Sequence, residues 1–173
     1  MSSPVTKVVI QPSYGKPETR RHWADTLDTP VPFHEPSYWD TLDPGERARL
    51  EDLHPAGKAH FWGATDKHDR RMDLLEPRDV VLLTGQRHVR AVGRVGCVLR
   101  NPALARALWR PDPRDCLWSN VFSLLEFRRT WIPYEEIWAL PGFTTGDNFM
   151  GLRLLDATKS TVVLAGLGIE PAA

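Results

Sequence analysis

The 173-residue chain has only two cysteines, Cys97 and Cys116. With no export signal around them they read as reduced residues rather than as a disulfide or a thiolate metal site, and Cys97 falls in an apolar stretch that makes it a core residue. No run of 18 apolar residues exists, which excludes a membrane-spanning helix. The opening MSSPVTKVVIQPSYG lacks the apolar stretch and small-residue cleavage site of a secretory signal. The expectation is a cytoplasmic protein, nucleoid-associated if bacterial, with no membrane partner. Catalytic signatures are missing as well: there is no G-x-S-x-G, no P-loop, no H-E-x-x-H and no C-x-x-C. His54, His60 and His68 have no Cys or carboxylate cluster to complete a metal site. Glu135 and Glu136 sit at adjacent helical positions and face apart, so they make no acid/base pair. No catalytic residue, metal or cofactor is expected, and the protein reads as a non-enzyme.

Formal net charge is also lacking, with 22 basic and 22 acidic residues, yet the balance conceals segregation. Residues 1–57 carry 6 Lys and Arg against 9 Asp and Glu, residues 58–131 carry 14 against 8, and residues 132–173 carry 2 against 5. A basic middle between acidic flanks is the electrostatic footprint expected for a polyanion. Basic residues that only solvate one face give the same count, so charge alone leaves both readings standing. At 42% hydrophobic and 25% charged, the composition is that of a folded globular chain, long enough for one domain with a single core.

Along the chain, TKVVIQP predicts a short strand. A helix is expected to open at Pro17 and Glu18, with Trp23 and Leu27 at helical spacing. The Pro-rich segment over 29–43 reads as a loop. DPGERARLEDLHP reads as a helix with Asp43 at its N-cap and Pro44 at its first position. Strand texture begins at AHFWGAT, followed by a helical DKHDRRMDLLEP. Next, DVVLLTG and HVRAVGRVGCVLR pair as a hairpin across the turn Gly85 to Arg87. In the long strand Val89, Ala91, Gly93, Val95, Cys97 and Leu99 share the core face. The other face carries Arg90, Arg94 and Arg100, more cations than solubility requires and compatible with phosphate contact. Gly93 and Gly96 mark a bulge or bend by which a small barrel closes. A helical PALARALW, a loop RPDPRD, a strand LWSNVFSLLEF, a helical turn in IPYEEIWAL, a Gly-rich connection and a last strand LRLLD complete the pattern. The tail ATKSTVVLAGLG is open between helix and strand. Residues 1–57 read as an accessory segment and residues 58–173 as the main domain.

The order FWGAT…RRMDLLEPRDVVLLTG…HVRAVGRV…LW…LWSNVFSLLEF…IPYEEI resembles the PUA-like superfamily of modified-base readers, which includes the YTH, EVE, ASCH and SRA domains. That likeness covers roughly residues 58–156. Short strands interspersed with short helices already suggest a compact α+β barrel, and the likeness implies a small PUA-like β-barrel with flanking short helices. It also implies that a nucleotide is turned out of its strand and its base held in an aromatic cage. Trp62 matches the cage Trp at the end of the first barrel strand, making it a stacking surface at the barrel mouth and not a core filler; Trp118 matches a second. The third wall is open among Phe149, Trp109, Trp131 and Tyr134. Asn120 and Asn148 either read a base edge, since an amide both donates and accepts, or tie a turn together. Thr65 and Asp69 would face the base or the backbone, whereas Asp66 reads as an N-cap. Arg70, Arg71, Arg90, Arg94 and Arg100 are the phosphate contacts.

Two rings with amide readers suit a cytosine methylated at its fifth position, so the expected partner is DNA carrying 5-methylcytosine, with oligomeric state undetermined. Extruding a base costs a few kcal/mol and aromatic stacking returns about 1–3 kcal/mol, so net affinity falls to phosphate contacts. Two alternatives stand beside this reading. One is RNA binding or a modified-nucleoside-processing enzyme on the same barrel, with His60 and Asp69 as its titratable groups; the other is an interaction protein that meets an acidic partner.

Overall fold

The computed structural model describes residues 5–109 and 117–172; the loop expected over 110–115, and Cys116 with it, lie outside the described residues. Six strands form a mixed sheet: β1 (Val8–Pro12), β2 (His60–Ala64), β3 (Val80–Gly85), β4 (His88–Arg100), β5 (Asn120–Pro133) and β6 (Arg153–Leu154). Their order is β2-β5-β4-β3-β1-β6. β1 runs parallel to β3. The pairs β1/β6, β2/β5 and β3/β4 are antiparallel. Short helices fill the connections: α1 (Pro17–Thr26), α2 (Pro36–Trp39), α3 (Pro44–Leu53), a 3-10 turn (Asp66–His68), α4 (Asp69–Met72), α5 (Pro102–Leu108), α6 (Tyr134–Trp138) and α7 (Ala157–Gly166). No helix among the described residues is long and apolar enough to cross a membrane.

The class is α+β as expected, but the sheet does not close into a barrel. Closure would require the two outer strands to bond to each other, and β6, with two residues, offers almost no ladder for that. The expected bend at Gly93 and Gly96 also differs. Gly93 pairs in regular register with Val81, while the irregularity falls between Leu83 and Thr84, where Arg90 is the extra residue on β4. Gly96 serves a close approach instead: a Cβ there would lie 2.3 Å from Ser123 Oγ.

Local chemistry explains most elements. The β3–β4 turn forms at Gln86 and Arg87, both in the left-handed region at φ 53° and 61°, the signature of a type I′ hairpin. At α3, Asp43 accepts from the Glu46 backbone N–H and Glu46 reaches back to the Asp43 N–H, a complete capping box after which Pro44 supplies the first helical φ. The Pro-rich segment holds the single turn α2. The tail resolves as helix α7, capped by Asp156, whose carboxylate accepts from the Lys159 N–H.

Two compact units divide the chain: residues 1–15, 78–94 and 126–173 form one, and residues 16–77 and 95–125 the other. Residues 1–15 thus belong to the first unit and residues 16–57 to the second. β1, buried at four of its five positions, is the apolar inner strand of the first unit. That unit's core joins Val8, Ile10, Val80, Leu82, Tyr134, Phe149 and Val163. The second core joins Phe33, Leu50, Phe61, Leu99, Leu104, Trp109 and Val121. Cys97 is buried in it as a free thiol, and that burial pushes its pKa up, so it is the unreactive kind.

Candidate nucleic-acid interface

The candidate site grows from the end of β2 and the start of β5 in the second unit, where Trp62 pairs with Phe122, Gly63 with Val121 and Ala64 with Asn120. At Gly63 a Cβ would lie 2.7 Å from the Asn120 carbonyl and 3.0 Å from the Trp109 ring. Only glycine lets that indole lie against the strand. Trp109 follows α5, and its Nε1–H donates to Thr26 Oγ1 at 3.2 Å, while the Thr26 hydroxyl donates to the Phe61 carbonyl at 2.6 Å. Thus α1 is fastened to β2 and brings His22 and Trp23 with it.

The result is a cluster of four indoles and an imidazole. Trp62 meets Trp118 at 5.0 Å and 71°, Trp23 at 6.0 Å and 71°, and Trp109 at 6.3 Å and 81°. Trp118 also meets His22 at 4.6 Å and Trp109 at 5.4 Å. These are edge-to-face and tilted pairs. Trp62 is 0% exposed, so the expectation of a stacking ring on the strand's lip is corrected: Trp62 is the centre of a core cluster. With Trp118 already set edge-on against it, the two rings leave no slot between them for a base. Trp118 is the member that stays half-exposed. His22 carries the cluster on into an open cleft of about 480 Å³, lined also by Arg21, Asp25, Ser37, Tyr38, Ala107 and Leu108.

Three polar atoms near this strand end are buried without a hydrogen-bond partner: Trp62 Nε1, Thr65 Oγ1 and His68 Nδ1. Thr65 holds the N-cap position of the 3-10 turn yet makes no capping bond, and it occupies the place expected for Asp66. Burial, then the nearby Arg71 and Lys67 charges, lower the His68 pKa. Its imidazole is thus biased toward the neutral form.

Asn120 does not present its amide edge to a ligand. Its Nδ2 donates to the Thr65 carbonyl at 3.0 Å and to Asp69 Oδ1 at 2.7 Å, and its Oδ1 accepts from Arg100 Nε at 2.9 Å. Arg100 also pairs with Asp73 at 2.8 Å. Fully buried, Asn120 therefore braces the β2–α4 turn, and Asp69 and Arg100 are spent in the same knot.

Of the five expected phosphate contacts, Arg70 and Arg71 stand exposed on α4. Arg100 is held in the knot just described, and the remaining two, Arg90 and Arg94, belong to the other unit. Arg94 is bound to Glu126 at 2.9 Å and to the Arg78 and Glu170 carbonyls. Arg90 lies 3.8 Å over the Tyr14 ring and donates to Gln86. The strand face of three arginines is thus largely engaged within the protein. Phe149, in the same unit as Arg90, is buried against Tyr134 at 4.9 Å and Phe143 at 6.5 Å, which makes it a core residue and not a cage wall. Asn148 beside it is exposed. Sequence reasoning left out His22 as a site residue; the one signal was its place beside Trp23 in a helix of apolar spacing. No group of three His, Cys, Asp or Glu among the described residues could hold a metal ion.

No protein-family model matches the chain, and no curated protein matches it. Among solved structures it is similar to the N-terminal domain of Thermococcus gammatolerans McrB bound to m5C DNA, with a TM-score of 0.62 at 11% identity over 94% of this chain and 97% of that one. At that identity the likeness establishes a shared fold.

Proposed function

We propose that the protein is a reader of methylated DNA that takes up an extruded 5-methylcytosine beside Trp118. The carrying observation is the fold, which this chain shares over nearly its whole length with a domain bound to m5C DNA. Local chemistry supports the reading. Trp118 is only partly buried and packs against a backing of Trp62, Trp109 and His22. The indole N–H of Trp62 and the hydroxyl of Thr65 are buried polar groups with unused hydrogen-bonding capacity, suited to a base edge or sugar-phosphate oxygen. Arg70 and Arg71 lie one short turn further on. Recognition here is binding by stacking, hydrogen bonding and charge, without a chemical step.

Burial of one methyl is worth about 0.8 kcal/mol, close to fourfold, and shape complementarity brings the ceiling to roughly 200-fold. Fluorescence anisotropy with matched duplexes that are unmodified, cytosine-methylated or adenine-methylated should place the preference for methylcytosine in that window, at two salt concentrations. Trp118→Ala should abolish the preference. A 2-aminopurine opposite or next to the methylated position should brighten on binding as the stack opens. Equal affinity for all three duplexes would reject the reader.

A further inference from the structure

The unit formed by residues 1–15, 78–94 and 126–173 carries an aromatic and cationic surface that the methyl-reading site does not use. Trp131, near the end of β5, is 59% exposed, an unusual place for the largest side chain. It is held rigid there: His88 stacks on it at 3.9 Å and 13°. The Arg90 guanidinium sits 5.1 Å from its ring centre while covering Tyr14 at 3.8 Å. The Thr130 hydroxyl donates to the Val89 carbonyl at 2.6 Å, fixing this end of β5 to β4. Alternation along the strand puts Arg129 on the same face as Trp131, and it too is exposed. Arg87, at the tip of the hairpin, reaches Glu135 only at 3.9 Å with both side chains mostly in water, a contact that neutralises little.

We infer that this face is a second DNA-contact surface, which holds the backbone and an unpaired or terminal base without regard to sequence or methylation. Stacked planar rings framed by guanidinium groups on a strand are the chemistry that single-stranded and distorted nucleic acid selects: bases stack on the ring and phosphates pair with the cations. An acidic peptide would use the cations but leave Trp131 idle, whereas a nucleic acid uses both. The inference rests on the reading of the protein as DNA-binding, but it makes a separate prediction, because this surface is indifferent to the methyl group.

The test is anisotropy on the full chain with Trp131→Ala, Trp131→Phe and Arg129→Ala, using methylated and unmodified duplexes and a single-stranded oligonucleotide across a salt series. Trp131 is exposed, so its substitution should leave the melting temperature unchanged. Trp131→Ala should weaken all three DNAs alike by about fivefold or more, and Trp131→Phe should restore most of the loss. Arg129→Ala should lower the salt slope by about one, with methyl preference intact. Unchanged affinities and slopes in Trp131→Ala and Arg129→Ala would overturn the inference, as would a loss confined to methylated DNA or a failure of the wild type to bind any of the three. If the variants weaken binding equally while the wild type shows no methyl preference, the reader falls and this surface stands.

Discussion

Replacing Trp62 separates two roles that the sequence runs together. The ring is fully buried against Trp23, Trp109 and Trp118. A buried indole hides about 150–250 Å², which at ~25 cal/mol per Å² amounts to ~4–6 kcal/mol of transfer free energy. Truncations of such residues to alanine cost about 3–5 kcal/mol. For a chain of this length each kcal/mol moves the melting temperature by about 2–4 °C, so Trp62→Ala should melt roughly 6–20 °C below wild type. Trp62→Phe isolates the indole N–H. It gives up part of the ring but also removes a buried donor that has no partner, a liability of about 1–3 kcal/mol, so its melting temperature should stay well above that of the alanine variant. If that N–H donates to DNA, Trp62→Phe should weaken methylated DNA several-fold with the fold intact. Thermal unfolding by circular dichroism and anisotropy on the same preparations make the measurement. Trp62→Ala melting within about 2 °C of wild type would refute the core assignment, and wild-type binding by Trp62→Phe would refute the donor role.

Gly96→Ala should destabilise strongly because its Cβ would meet Ser123 Oγ at 2.3 Å; the double variant with Ser123→Ala should recover part of the loss, a non-additivity that a denaturant cycle reads directly. Asn120→Ala leaves the Thr65 carbonyl, Asp69 and Arg100 without their shared partner and should cost about 1–3 kcal/mol in urea unfolding. The Arg153 hydrogen bonds hold the Asp147 carboxyl below the usual range, aided by the Phe149 backbone N–H. A depressed folded pKa contributes stability that is complete above the unfolded value near 3.9 and is lost as pH falls below it. Urea unfolding at pH 7 and pH 3 should therefore show a smaller acid loss in Asp147→Asn than in wild type.

Local signals carried much of the fold. Asp43-Pro44-x-Glu46 encodes its capping box within four residues, and VVIQP reads as a strand because its apolar run has no helical period. The hairpin was visible from its two flanking strands, although Gln86 and Arg87 are not the residues that favour a type I′ turn. Segments whose fate depends on distant partners were less legible. Nothing near Val8 in sequence announces that it lies beside Val80. The candidate site followed the same division. The sequence marked Trp62 and Trp118, which the structure sets ring against ring, whereas the full burial of Trp62 depends on rings carried in by distant segments.

The sequence by itself determined the α+β class, most strands and helices, the paucity of catalytic motifs and the tryptophan-rich end of one strand, since each depends on residues within a turn or two of one another. Only the tertiary structure decided that the sheet stays open, that Trp62 is buried and Trp118 half-exposed, and that Arg94 and Arg100 are tied to carboxylates. Exposure and pairing are properties of the groups that long-range folding brings alongside a side chain, and a linear pattern of residue types does not contain them.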